Sequence, residues 1–272
     1  MNRIERRFRE LRRRGRKGLV TYVCAGDPSL DATARLIRAF DAAGVDVAEL
    51  GLPFSDPLAD GIVNQLAAQR ALAAGTTVAG VFEMVTRLRR AGCDVPICLF
   101  TYFNPVHRYG LDRFAADAAI AGIDGILALD LPPEEADGYI QPFREHGIAT
   151  VFLVAPNSPE ARIRRIVRAA RGFVYYVSRE GVTGERGDLP AGIREQVGAI
   201  RRHTRLPVAV GFGVSTPDQA RQVARIGDAV VVGSAIVRRI AAGDVGADHL
   251  AGVAQFVQGL AAAVHEEGTA PR

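Results

Sequence analysis

The stretch VAELGLPFSDPLADG, residues 47–61, changes character in its middle. Val47 to Leu50 read as the tail of a buried strand, whereas Gly51, Pro53, Pro57 and Gly61 halt regular structure. Asp56 and Asp60 therefore fall on a loop and Glu49 at a strand end. A charge at the end of an apolar strand needs a reason, and two are open. Glu49 and Asp60 are a carboxylate pair placed for chemistry, or Glu49 is a buried ion-pair partner while the aspartates cap turns or the following helix.

Working outward, eight strand-sized apolar runs recur: Leu19 to Cys24, Val45 to Leu50, Pro96 to Tyr102, Gly125 to Leu131, Ala149 to Ala155, Phe173 to Val177, Pro207 to Gly211, and Ala229 to Val232. Amphipathic segments separate them: Ala32 to Ala43, Val78 to Ala91, Leu111 to Ala121, Pro133 to His146, Glu160 to Ala170, Ile193 to His203 and Pro217 to Ile226. Strands apolar on both faces and joined by helices imply a parallel sheet. Eight such units in a chain of 272 residues, 48% hydrophobic, predict one α/β domain over residues 1–272, a (β/α)8 TIM barrel. Two elements exceed the minimal barrel: an N-terminal helix within residues 1–16 that caps one mouth, and an extra helix, Ile62 to Ala74, after the second strand. Leu250 to Val264 reads as the last helix and residues 266–272 as a frayed tail. The competing architecture, a doubly wound open sheet, lacks its glycine fingerprint: the first strand leads into AGDPS at 25–29.

The formal charge of +4 comes largely from arginines in the first 17 residues. Ile4, Phe8 and Leu11 recur there at helical spacing, which favours a solvated amphipathic helix over a nucleic-acid arm. Cys24, Cys93 and Cys98 form no CxxC pair, and the five histidines lack ligand spacing and read as surface residues, so no metal site is expected. No apolar run reaches spanning length and no secretory signal opens the chain, which points to a cytoplasmic protein without membrane or nucleic-acid partners. Lys17 is the sole lysine and lies at the start of the first strand, which argues against Schiff-base catalysis.

In barrels of this kind the active site forms at the C-terminal strand ends. Glu49, Asp60, Tyr102, Asn104, Asp130, Ser178 and Arg179 fall there, although Asp130 before Leu131-Pro132-Pro133 is read more simply as organising the turn into the next helix. Glycine-bearing loops follow strands six, seven and eight: GVTGERG at 181–187, GFGVS at 211–215 and GSAI at 233–236. Backbone amides freed by glycine, with a helix N-terminus after Ser234, form a dianion site without lysine. Tyr22, Phe100, Tyr102, Leu127, Leu153 and Tyr175 are available to line an apolar pocket, or to fill the barrel core. The sum is proton transfer by carboxylates on a phosphorylated substrate.

These motifs, together with TYFNP at 101–105, DLPPEE at 130–135, SREGVTGERG at 178–187 and GFGVSTPDQA at 211–220, resemble the tryptophan synthase alpha chain over nearly the whole length. The resemblance implies retro-aldol cleavage of indole-3-glycerol phosphate to indole and glyceraldehyde 3-phosphate. It also implies an α2β2 heterotetramer in which indole is channelled to a beta chain that carries pyridoxal phosphate, with no cofactor in this chain. By the same resemblance Glu49 is the principal acid/base, Asp60 binds the indole N–H and Tyr175 assists at the glycerol. Tyr22, Phe100, Leu127 and Leu153 would pack on the indole. Gly184, Phe212, Gly213, Gly233 and Ser234 would hold the phosphate, and Arg179 to Leu189 would form a lid whose Thr183 reaches Asp60. Pro53, Asp56, Asn104 and Pro132 would face the beta chain. The sequence departs from the family pattern at Ile62, Val63 and Asn64, where proline, a β-branched residue and isoleucine are common. Thr21 and Cys24 also replace the usual proline and threonine. Against the alpha-subunit reading stand a stand-alone indole-3-glycerol phosphate lyase and a ligand-sensing subunit without activity, the second disfavoured by retention of both carboxylates.

Overall fold

The computed structural model describes residues 1–177, 191–243 and 246–268. Among these the strands are β1 (Gly18–Cys24), β2 (Val47–Gly51), β3 (Ile97–Thr101), β4 (Gly125–Ala128), β5 (Ala149–Thr150), β6 (Phe152–Val154), β7 (Val174–Val177), β8 (Val208–Gly211) and β9 (Ala229–Val232). They form one sheet in the order β5-β4-β3-β2-β1-β9-β8-β7-β6, and every described pairing is parallel. The two ends of that order belong to one run of chain. Val151, between β5 and β6, donates its N–H to the Ile126 carbonyl at 2.9 Å, and β6 then pairs with β7. The nearly closed barrel therefore has eight staves, the fifth divided at Val151.

The helices are α1 (Arg3–Arg13), α2 (Leu30–Ala42), α3 (Ile62–Ala73), α4 (Val78–Arg90), α5 (Phe103–Tyr109), α6 (Leu111–Ala121), α7 (Asp137–Glu145), α8 (Glu160–Ala169), α9 (Ala191–Arg201), α10 (Pro217–Ala224), α11 (Ser234–Ala241) and α12 (Ala247–Glu267). Departures from the sequence reading include α5, which that reading did not contain, α9, which starts two residues before Ile193, and three more. α2 starts two residues early because the Ser29 hydroxyl accepts the Ala32 N–H at 3.1 Å and caps the helix. α7 starts at Asp137 rather than Pro133, because residues 132–135 close a turn through Glu135 N–H to the Pro132 carbonyl at 3.0 Å. α12 runs from Ala247, three residues before the expected Leu250, through Glu267, whose carboxylate is held at 2.8 Å by Arg225, the residue after α10.

Two sets of apolar residues explain the barrel. Helix-facing residues such as Leu19, Leu50, Leu99 and Val210 pack under the outer helices. Interior residues Val20, Val47, Cys98, Leu127, Phe173 and Ala209 pack with one another and with Ile4, Phe8 and Leu11 of α1. α1 thus plugs the N-terminal mouth with its apolar stripe, and Phe8 meets Phe173 at 5.7 Å between ring centroids. The arginines on its other face are not all solvated: Arg3 reaches Asp124 at 3.1 Å and Arg7 reaches Asp46 at 2.7 Å.

A recurrent aspartate fastens that mouth. Asp46, Asp124 and Asp228 each stand one residue before a strand, and each accepts a backbone N–H at the start of the neighbouring strand, from Leu19 (2.7 Å), Ile97 (3.0 Å) and Val208 (3.0 Å). These N–H groups lie where the ladder begins and would otherwise be left without partners. Asp46 is fully buried and also binds Arg7 and His265, the latter at 2.9 Å, so His265 is a packing residue and not a free surface histidine. Replacing Asp46 with alanine is expected to cost about 3 kcal/mol, because it strands a buried N–H and removes the partner of two basic groups. Urea unfolding of the variant beside the parent chain measures this; a loss under about 1 kcal/mol would mean that water replaces the carboxylate.

Candidate functional site

β2 carries Glu49 into the barrel interior, in register with Tyr22 of β1 and Cys98 of β3. Both carboxyl oxygens are buried and neither has a hydrogen-bond partner among the described residues. Removal from water penalises the charged form, and with nothing to offset that penalty the Glu49 pKa rises from 4.5 to about 8. The ion-pair reading of Glu49 is therefore excluded among the described residues: this is a carboxylic acid that keeps its proton at neutral pH.

Asp60 has the opposite surroundings. Its Oδ2 accepts the Tyr102 hydroxyl at 2.9 Å and its Oδ1 the Asn64 amide at 3.4 Å, while Gln65 binds its backbone carbonyl at 2.8 Å. Burial raises its pKa and the two side-chain hydrogen bonds oppose that rise. Tyr102 also accepts the Ala59 N–H at 3.0 Å and packs on Phe54 with ring centroids 5.3 Å apart, so the loop after β2 is pinned to the end of β3. Asp27 adds a second brace: its buried carboxylate takes two hydrogen bonds from Arg70 of α3, both at 2.7 Å, which joins the β1 loop to the helix behind Asp60.

A cavity of about 480 Å³ opens at the C-terminal mouth. Its walls are Glu49, Tyr22, Phe100, Tyr175, Val177 and Val231 below, Gly61, Ile62, Val63 and Asn64 on one side, and Gly211, Phe212, Gly213, Val214, Gly233, Ser234 and Arg238 on the other. Tyr22 lies edge-on to Phe100 with centroids 4.9 Å apart, and it crosses β2 at Gly51, where any Cβ would collide with its ring. Gly213 has φ of +67°, a conformation that a side chain strains. Gly233 precedes α11, whose first-turn N–H groups face this rim with no side-chain cap.

The sequence candidates distribute unevenly over this geometry. Glu49, Tyr22, Phe100, Tyr175, Phe212, Gly213, Gly233 and Ser234 come together around the cavity. Leu127 is 1% exposed and Leu153 half-buried, and both belong to the barrel interior, outside the cavity lining. Tyr102 likewise does not line it and acts on Asp60. Thr183 and Gly184, with the segment Arg179 to Leu189, lie outside the described residues. Asp130 does organise a helix start, but that of the preceding unit: its Oδ1 accepts the Phe103 N–H of α5 at 2.7 Å. Pro53, Asp56, Asn104 and Pro132 follow the adjacent strands β2, β3 and β4 and so share one side of the mouth, with Asp56 and Asn104 exposed. Arg238 and Asn64 escaped the sequence reading as site residues; Arg238 sits four residues after Ser234, one helical turn on, which was the available signal.

A larger cavity, about 590 Å³, opens at the opposite mouth beside Phe8, Lys17 and Gly268. Its acids, Asp228 and Glu267, are bound by Arg201 and Arg225, so it lacks an unpaired carboxyl like that of Glu49. Among the described residues no three His, Cys, Asp or Glu side chains are grouped to hold a metal, and no helix is long and apolar enough to cross a membrane.

A (β/α)8 barrel with a buried, unpaired glutamate facing a glycine-rimmed cavity has the form of a barrel enzyme. Known proteins narrow the class. The family model described as tryptophan synthase alpha chain matches residues 8–265. The tryptophan synthase alpha chain of Geobacter sulfurreducens is 52% identical over 267 residues, covering 97% of this chain and 99% of that one. That of Opitutus terrae is 53% identical over 240 residues, covering 88% and 90%. Among solved structures, tryptophan synthase subunit alpha from Legionella pneumophila superposes with a TM-score of 0.88 at 36% identity, covering 97% of this chain and 98% of that one. The chain belongs to the tryptophan synthase alpha chain family, and with it to lyases of tryptophan biosynthesis. The alpha-subunit reading stands, and the stand-alone lyase is not favoured.

The protonation of Glu49 has a signature independent of catalysis. The unfolded chain ionises this carboxyl near 4.5 and the folded chain near 8, so between these values the folded state holds one more proton. Stability from this group is complete below about 4.5 and falls by roughly 1.4 kcal/mol per pH unit as pH rises towards 8. Glu49→Gln removes the group. Urea unfolding at several pH values is expected to show the variant gaining on the parent chain across this window; parallel curves would mean that Glu49 ionises normally.

Proposed function

We propose that this chain cleaves indole-3-glycerol phosphate into indole and glyceraldehyde 3-phosphate, as one half of a complex with a pyridoxal-phosphate beta chain. The observation that carries the proposal is a buried Glu49 without a hydrogen-bond partner on a glycine-rimmed cavity, with Asp60, tethered by Tyr102, one residue before the lining segment Gly61 to Asn64.

The chemistry needs an acid at one ring atom and a negative charge at another. Glu49 gives its proton to C3 of the indole, and the ring nitrogen becomes cationic. Asp60, held as an acceptor by Tyr102 and Asn64, receives the ring N–H and stabilises that charge. The Glu49 carboxylate then takes the proton of the hydroxyl next to the ring. The carbon–carbon bond breaks, its electrons return to the ring to leave indole, and the hydroxyl carbon becomes the aldehyde. Glu49 ends protonated, as it began. Burial that disfavours its charge thus serves the first step and makes the carboxylate a stronger base for the second. Tyr175, a buried residue of β7, borders the glycerol portion, and Tyr22 and Phe100 give the ring an aromatic wall. Leu127 and Leu153 support that wall from within the barrel.

At the other end Phe212, Gly213, Gly233 and Ser234 offer backbone N–H groups to the phosphate, and Arg238 brings a guanidinium with no ion pair among the described residues. Gly184 and Thr183 would complete the enclosure from the segment after β7. Pro53, Asp56, Asn104 and Pro132 form the side of the mouth for the beta chain, and Leu58, 91% exposed in the same loop, adds an apolar contact to it. An α2β2 assembly would couple that contact to the Asp60 loop.

Indole release from indole-3-glycerol phosphate, with and without the cognate beta chain, tests the reading. Slow turnover that rises severalfold with the partner is expected; fast turnover alone would favour the stand-alone lyase, and none in either case would leave a sensing subunit. Glu49→Gln should abolish cleavage while indole-3-propanol phosphate, which lacks the reacting hydroxyl, still binds. Because the acid form acts first, kcat/KM should fall as pH rises through about 8. Arg238→Ala should raise KM about tenfold with kcat little changed, as loss of one charge-assisted phosphate contact would.

A further inference from the structure

The cavity at the N-terminal mouth, about 590 Å³, is larger than the one that Glu49 lines and shares no lining residue with it. Its apolar lining comes from Phe8 and Leu11 of α1 and from Pro207, which precedes β8. Its charged lining is four cations, Arg12, Arg16, Lys17 and Arg225, against two acids, Asp228 and Glu267. Both acids are already answered. Glu267 is held by Arg225 at 2.8 Å, and Asp228 by Arg201 at 2.9 Å and by the Val208 N–H at 3.0 Å. Lys17 donates to the Gly227 carbonyl at 2.8 Å. Arg12 and Arg16 differ from these. Among the described residues neither forms an ion pair, and Arg12 donates only to the Arg205 backbone carbonyl, at 3.0 Å. The C-terminal ends of α1, α10 and α12 also come to this mouth, each worth about half a negative charge, and they offset part of the cationic excess without cancelling it.

An exposed guanidinium without a carboxylate presents a fork that matches one. Two of them beside an apolar wall fit a ligand with an anionic head and a flat apolar body, in a volume within the usual range of small-molecule sites, about 300–1,000 Å³. We propose that this mouth is a second binding site, for aromatic carboxylates, in which Arg12 and Arg16 hold the carboxylate and Phe8, Leu11 and Pro207 meet the ring. The site stands independently of the reaction proposed above. It also joins the two ends of the chain, because Gly268 after α12 lies so close to the turn after α1 that a Cβ there would collide with the Arg16 backbone. A ligand that needs both segments in place binds the folded chain and stabilises it by mass action.

The test is calorimetric titration of the full chain with 2-naphthoate, with thermal unfolding in the same solutions. 2-Naphthalenemethanol and inorganic phosphate serve as the apolar body and the anion taken separately. The carboxylate is expected to bind about tenfold more tightly than either of these and to raise Tm. Arg12→Ala and Arg16→Ala should each weaken it about tenfold, as loss of one charge-assisted contact would, whereas Arg238→Ala, in the other cavity, should leave it unchanged. Arg16→Lys keeps the charge without the fork and should fall between; it also keeps the measurement readable if an alanine variant loosens α1. Equal binding of the alcohol or of phosphate would overturn the proposal. So would an affinity that depends on Arg238 and not on Arg12 or Arg16, or no binding at all.

Discussion

Each central strand of this protein must find hydrogen-bond partners on both sides while burying both faces, and closure of the sheet is the constraint on which the rest depends. Open, the run of residues 149–154 would leave one edge of β4 and one of β7 without partners; divided at Val151, it serves both. Closure creates an interior filled by side chains, and α1 seals its lower end with Ile4, Phe8 and Leu11. Asp46, Asp124 and Asp228 then answer the backbone groups that the ladder leaves unpaired at that end. The upper end stays open, and the cavity lined by Glu49 lies there.

The same closure divides the two carboxyl groups. Glu49 rides a strand whose alternate residues must point inward, into surroundings of Tyr22, Cys98 and Tyr175 that offer its charge nothing. Asp60 lies eleven residues on, beyond the end of the strand, where a phenol and two amides reach its loop. Desolvation acts alone at the first and is opposed by hydrogen bonds at the second, so two similar acids meet different surroundings at one mouth of the barrel. Asp27 and Arg70 keep the Asp60 helix in place without touching either acid, in a bidentate pair between the β1 loop and α3.

Much of this was legible from the chain. The eight apolar runs and their helical partners marked the barrel because burial on both faces erases the alternation of a surface strand. The Gly51 to Gly61 breaks set Glu49 on a strand and Asp60 on a loop, and the glycines after β8 and β9 marked the opposite rim. Other features were hidden for physical reasons. Tyr102 read as a pocket residue because its position says only that it ends β3, whereas its hydroxyl turns sideways to Ala59 and Asp60. Leu127 and Leu153 have the composition of a substrate wall and of a barrel core alike, and only depth separates the two. Asp130 sits before two prolines that suggest a turn of its own, yet it caps α5 across the strand gap.

The sequence by itself determined the order of strands and helices, the carboxyl pair, the glycine rim and membership of the family, because periodicity, backbone freedom and motif spacing are local properties written along the chain. The tertiary structure alone decided which of those residues lack a partner. That Glu49 is left without one and keeps its proton, that Asn64 reaches Asp60, that Arg238 joins the cavity and that His265 closes on Asp46 from the far end of the chain follow from desolvation and from contacts between distant segments. The free energy of a charge depends on what surrounds it in space, and spacing along a sequence does not record that.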